Sequence, residues 1–167
     1  MNRLFNYQID GINKLSTAIS NKIKAIKSNL NFDVKSIFKD QYLVSPTGSG
    51  KTLMSFETIS SIKEECLIVW VAPNKLDQQS FEKYEKYYSK NQENRKCIKV
   101  NDNFTSSNIN DIIKNPSKYL VMTNWASINK NDNLLLRDNE TNTNLPFLFN
   151  QLKLKKIPII FFIDEAH

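Results

Sequence analysis

The chain has 167 residues, 40% hydrophobic, 24% charged and 11% aromatic, with a formal net charge of +6. This length suits one domain with a real core, and the apolar content excludes a disordered tail, which lacks the side chains to offset its ordering entropy. Three glycines and two cysteines exclude collagen-like and disulfide-framework classes.

No apolar run reaches the roughly 20 residues that span a bilayer, and the start, Met1 to Tyr7, lacks a secretory apolar region. The expected compartment is cytoplasmic, with no membrane partner and with Cys66 and Cys97 as buried, reduced thiols in apolar strand-like stretches. The basic excess suits a phosphate-rich partner but is equally consistent with solvated helix faces around Lys22, Lys24, Lys27, Lys153, Lys155 and Lys156.

From the N-terminus, Ile9, Ile12, Leu15, Ile19, Ile23, Ile26 and Leu30 recur in steps of three and four, predicting a long amphipathic helix from Tyr7 to Leu30. Gly11 weakens its first turns. A short strand is expected at Tyr42-Leu43-Val44, then the loop Ser45 to Thr52, then a helix from Lys51 to about Lys63 that packs Leu53, Met54, Phe56, Ile59 and Ile62 inward.

The run Cys66 to Ala72 reads as a strand buried on both faces and stopped by Pro73. A helix from Lys75 to about Ser89 carries Tyr84, Tyr87 and Tyr88 as packing residues. Then come a strand at Cys97 to Val100, a helix at Asn108 to Lys114 and a strand at Tyr119 to Thr123. The polar stretch Asn129 to Asn144 reads as a surface excursion. A helix at Leu145 to Leu154 and a strand at Ile157 to Ile163 complete the pattern, with Pro158 at the strand start, where a missing N–H does least harm. Trp70 and Trp125 read as packing residues. Alternating helices and apolar strands predict an α/β fold with a mostly parallel sheet covered on both faces.

A strand, then Pro46-Thr47-Gly48-Ser49-Gly50-Lys51-Thr52, then a helix is an arrangement that cradles phosphates. Glycine lets backbone N–H groups approach phosphate oxygens, and the helix N-terminus adds its dipole. Lys51 would reach the β- and γ-phosphates of a nucleotide, and the Thr52 hydroxyl would coordinate Mg²⁺. The general pattern has glycine where Ser45 stands. The alternative is an ordinary Gly/Ser turn before a helix.

Asp164 and Glu165 follow the last apolar strand, at the end where parallel sheets form their ligand crevice. Asp164 would hold the Mg²⁺ shell, partly through water, and Glu165 would polarise the attacking water. His167 has no cysteine or histidine cluster around it to suggest zinc.

Together Pro46 to Thr52 and Asp164-Glu165-Ala166-His167 resemble motifs I and II of superfamily 2 DEAD/DEAH-type helicases and translocases. Three further stretches follow the family's order. Tyr7-Gln8 is similar to the element that contacts adenine, although Asn6 replaces the proline that often precedes it. Val71-Ala72-Pro73-Asn74-Lys75-Leu76, with Gln79, looks like motif Ia, and Val121 to Trp125 looks like the segment before motif II. The combination is closest to the motor subunits of type I and type III restriction enzymes.

The resemblance implies a P-loop NTPase with a RecA-like sheet. Residues 1–40 would form a helical N-terminal segment with the Tyr-Gln element, and 41–167 a core running from the phosphate loop to the DEAH motif, where the sequence stops. It implies ATP and Mg²⁺ as cofactors and Lys51, Asp164 and Glu165 as catalytic residues. Nucleic acid, with DNA expected first, would be contacted by Pro73, Asn74, Lys75, Thr123 and Asn124; Lys130 is a further basic candidate.

It also implies a second RecA-like domain, in the same chain or another, supplying arginines that in related phosphoryl transfer contribute roughly 10³–10⁵ in rate. Methyltransferase or specificity subunits are the partners of the restriction-type motors. The motif III strand, absent here, would leave a gap or an exposed apolar edge in the sheet. The expected function is the ATP-binding portion of a motor that couples hydrolysis to movement on DNA. The alternatives are a nucleotide- or nucleic-acid-binding module that does not hydrolyse ATP and an RNA helicase of the same superfamily.

Overall fold

The computed structural model describes residues 4–28, 41–73, 76–100, 104–124 and 145–164. They fall into two compact units, Met1–Glu64 and Glu65–His167.

The first unit is built on two helices, α1 (Asn6–Lys27) and α2 (Lys51–Ser61), which pack against each other. The three-and-four periodicity appears as burial of Ile12, Ile19 and Ile23 on α1 and of Met54, Phe56 and Ile59 on α2. Ile9, expected on the buried stripe, is exposed. At the start of α1 the Gln8 side chain reaches back, its Oε1 accepting from the Phe5 N–H at 2.9 Å, which satisfies one of the donors every helix start leaves over. Lys24 and Lys27 complement the dipole in the last turn. Gly11 lies where the helices approach: a Cβ built there would come within 2.6 Å of the Met54 Cε. Its helix-weakening effect therefore accompanies a close contact. Glu64 accepts from Ser20 Oγ at 2.8 Å and faces Lys24 Nζ at 3.5 Å, tying the end of this unit to the middle of α1.

Residues 42–44 are not a strand. They lack helical or ladder structure, and Tyr42 and Val44 are 77% and 90% exposed. A strand exists only through ladder bonds to a neighbour, and among the described residues this segment has none.

The second unit holds a four-stranded, all-parallel sheet: β1 (Leu67–Ala72), β2 (Lys96–Lys99), β3 (Tyr119–Asn124) and β4 (Ile159–Ile163), in the order β2-β3-β1-β4. Helices α3 (Leu76–Tyr87), α4 (Ser106–Lys114) and α5 (Leu145–Leu154) flank it. The central strand β1 is buried along its whole length, as its unbroken apolar run predicts. Its register aligns Ile68 with Leu120 on one side and Ile160 on the other.

Leu67, Val69, Val71 and Val121 share a core with Ile109 and Ile112 of α4 and Leu145, Leu148 and Leu152 of α5. Alternate residues point to the other face, where Trp70 stacks on Phe162 with centroids 6.3 Å apart. The indole is therefore a packing residue, as expected; Trp125 lies outside the described residues, as do Leu30 and all but the first residue expected of the DEAH motif. On β4, which pairs with β1 alone among the described residues, Phe161 and Ile163 are 50% and 46% exposed.

Arg95 closes the sheet at the opposite end from the expected ligand side. It is buried, and its Nη1 donates to the carbonyls of Cys66 (2.9 Å), Pro116 (3.3 Å) and Tyr119 (3.5 Å), where β1 and β3 begin. The Tyr84 hydroxyl donates to the Arg95 carbonyl at 3.0 Å, and burial pushes that phenol well above its ordinary range. Cys66 and Cys97 are both buried and not disulfide-bonded, and burial likewise pushes the Cys97 thiol up. Replacing Arg95 by Met would strand these carbonyls; we expect a loss of about 3 kcal/mol, measured by urea unfolding.

Candidate functional site

The segment joining residues 41–46 to α2 is shaped by two glycines. The Ser49 N–H donates to the Pro46 carbonyl at 3.2 Å, closing a four-residue turn, and Gly48 at its third position has φ +79°. A type II turn requires positive φ there, which glycine adopts without strain. Gly50 also has positive φ (+87°) and is the N-cap of α2, its carbonyl accepting from the Met54 N–H at 2.9 Å. The two positions differ in surroundings: a Cβ at Gly48 would meet nothing within 4 Å, whereas one at Gly50 would lie 2.8 Å from the Gln8 Nε2.

Ser45, standing where the general pattern has glycine, uses its hydroxyl. Its Oγ donates to the Ser49 Oγ at 2.6 Å, bridging the base of the loop. The Lys51 ammonium folds back over the same turn and donates to the Ser45 carbonyl at 3.0 Å.

The start of α2 has the electrostatics of an anion site. It has no side-chain cap and no acidic residue in its first turn, and its first helical residue is Lys51. A cation placed on the positive end of a helix dipole opposes that dipole, and an anion bound there would complement both. Thr52, partly buried in the same turn, presents a hydroxyl suited to a hard cation such as Mg²⁺. The donor set fits a magnesium triphosphate.

The Tyr-Gln element lies against this loop. The Tyr7 hydroxyl donates to the Ser49 carbonyl at 3.1 Å, and the Gln8 Nε2 donates to the same oxygen at 2.8 Å. The Tyr7 ring stacks on Phe5, centroids 5.9 Å apart. Tyr7, Gln8, Pro46, Thr47, Gly48, Ser49, Gly50, Lys51 and Thr52 therefore all belong to one local structure within the first unit. The adenine-element resemblance gave no sign of the double hydrogen bond to Ser49.

The remaining candidates belong to the second unit. Asp164 follows β4, and its N–H donates to the Val71 carbonyl at 2.9 Å, continuing the ladder with β1. Pro73 follows β1, and Thr123 and Asn124 end β3. Thr123 is buried, and its hydroxyl has no hydrogen-bond partner among the described residues, while Asn124 is only partly covered. Asn74, Lys75, Lys130, Glu165, Ala166 and His167 lie outside the described residues.

A feature missed in the sequence joins these strand ends. Buried Asp77, in the first turn of α3, faces Lys99 Nζ at 3.0 Å and accepts a long contact from Asn124 Nδ2 at 3.5 Å. Lys99 Nζ also donates to Gln78 Oε1 at 2.6 Å. An acidic residue at a helix start was the only local signal; Lys99 is 22 positions downstream and carried none.

Alanine at 48 or 50 enters a left-handed conformation and costs about 1–2 kcal/mol at either position in urea unfolding. Only Gly50→Ala also displaces the Gln8 amide, so its cost should exceed that of Gly48→Ala.

Comparison with curated proteins and with solved structures finds no match. A family model described as type III restriction enzyme, res subunit, matches residues 2–167. That match covers nearly the whole chain and coincides with an all-parallel α/β sheet and a glycine loop feeding a helix. The chain belongs to the type III restriction enzyme res subunit family and carries the helicase-like ATPase motor domain of superfamily 2.

Proposed function

We propose that this domain binds Mg–ATP through residues 46–52 and that the motor to which it belongs couples hydrolysis to movement along DNA. The observation that carries the reading is the uncapped start of α2, where Lys51 and Thr52 follow a turn opened by two positive-φ glycines. When bound, magnesium triphosphate supplies the phosphoanhydride bond and part of the charge neutralisation that its cleavage requires.

The chain's own residues do the rest. Backbone N–H groups of the loop and the first turn of α2 hold phosphate oxygens. Lys51 exchanges the Ser45 carbonyl for a phosphate oxygen, replacing a hydrogen bond to a neutral acceptor with a charge-assisted one. Thr52 offers its hydroxyl to the metal. We assign Asp164 to the metal's water shell and Glu165 to orienting the attacking water, the roles that the motif implies. Tyr7 and Gln8 we count as part of the nucleotide site through their contact with the loop. Arginines from a second RecA-like domain would complete the reaction, and Pro73, Asn74, Lys75, Thr123 and Asn124 are the proposed nucleic-acid contacts.

Titration with Mg–ATP tests the first part. Lys51→Ala should weaken binding by about tenfold to a hundredfold, the range of one lost charge-assisted hydrogen bond. Equal affinity in the two proteins would overturn the assignment. The motor reading predicts that DNA stimulates ATP hydrolysis by the assembly containing this chain and that DNA binding weakens steeply with salt. Stimulation by RNA alone would redirect the substrate.

A further inference from the structure

The Gln8 side chain is spoken for at both ends. It is only 5% exposed, its Oε1 accepts from the Phe5 N–H at 2.9 Å, and its Nε2 donates to the Ser49 carbonyl at 2.8 Å. The Tyr7 hydroxyl donates to the same carbonyl at 3.1 Å. Two side chains from consecutive positions of α1 therefore converge on one oxygen of the loop, more than 40 residues away in sequence.

That oxygen belongs to the peptide unit whose other half is the Gly50 N–H. No peptide bond among the described residues is cis, and in a planar trans peptide the C=O and N–H point in opposite directions. Fixing the Ser49 carbonyl toward α1 therefore fixes the Gly50 N–H away from it. Gly50 is where this control matters most. A glycine turns about its backbone bonds with little steric resistance, so the direction of its N–H is not set by its own residue type. The Gln8 amide also packs directly on Gly50, where no Cβ intervenes.

We infer that Tyr7 and Gln8 are positioning residues for the phosphate loop, locking the Ser49–Gly50 peptide plane so that the Gly50 N–H is held toward the phosphates whatever base the nucleotide carries. This rests on the reading of residues 46–52 as a phosphate site. It differs from adenine recognition, which would require the Gln8 amide edge to be released from Phe5 and Ser49. Gln8 is the stronger element, being buried and closer; Tyr7 keeps its ring exposed and contributes through its hydroxyl alone.

The test compares Mg–ATP with inorganic tripolyphosphate, which has the phosphates and no base. Gln8→Met removes the donor without adding charge, and Tyr7→Phe removes one hydroxyl and leaves the ring stacked on Phe5. We expect Gln8→Met to weaken both ligands about tenfold and Tyr7→Phe to weaken both about threefold, the same factor for each ligand.

A spectroscopic readout separates positioning from a general loss of structure. The chain has three glycines, and in ligand-free Tyr7→Phe the Gly50 amide resonance should move while those of Gly11 and Gly48 stay. Unchanged tripolyphosphate affinity alongside weakened ATP binding would overturn the inference in favour of base reading. An unmoved Gly50 amide would overturn it as well. If the unsubstituted chain bound neither ligand, or bound both no better than Lys51→Ala, the phosphate-site reading itself would fail, and this inference with it.

Discussion

The carbonyl of Ser49 is the point on which the first unit turns. It accepts from both Tyr7 and Gln8, and so joins the start of α1 to a loop whose other contacts, its own turn, the Ser45–Ser49 hydroxyl pair and the Lys51 bond to the Ser45 carbonyl, are all local. A loop of alternating glycines has many accessible conformations, and ordering it costs backbone entropy. The packing of α1 on α2 offsets part of that cost, because the helix that delivers Gln8 is itself anchored by Ile12, Ile19 and Ile23. The polar contact is precise because an apolar interface stands behind it.

A comparable division of labour operates in the second unit. Apolar residues of β1 and β3, with α4 and α5, supply the burial that holds the sheet, and they carry no information about chemistry. The polar groups sit at the strand ends. Arg95 gathers carbonyls where β1 and β3 begin, and Asp77 with Lys99 and Asn124 links α3 to the ends of β2 and β3. Replacing dipoles and charges of the solvent with fixed partners at both rims leaves the strands between them free to be wholly apolar.

What the sequence disclosed and what it concealed divide along the same line. The helical stripe of α1 and the uninterrupted run of β1 are local patterns, so each element was legible from its own residues. The two glycines before Lys51 were legible for the same reason, since a phosphate loop is a local backbone geometry. The expected strand at Tyr42 to Val44 failed because three apolar residues show propensity, whereas a strand also needs a neighbour that propensity does not reveal. Arg95 reads as a surface cation until its three carbonyl partners, at positions 66, 116 and 119, are brought to it by pairing of β1 with β3. The family resemblance likewise pointed to Tyr7 and Gln8, yet their attachment to Ser49 depends on how α1 meets α2.

Strand β4 carries a different kind of consequence. It is bonded on one side to β1, and among the described residues nothing is bonded to the other. Alternate side chains there, Phe161 and Ile163, stand half open to solvent. Such a margin is a template for backbone pairing by any extended segment that reaches it. Protein prepared with this margin bare should self-associate more as its concentration rises, and a charged residue in place of Ile163 is the smallest alteration that would keep it dispersed.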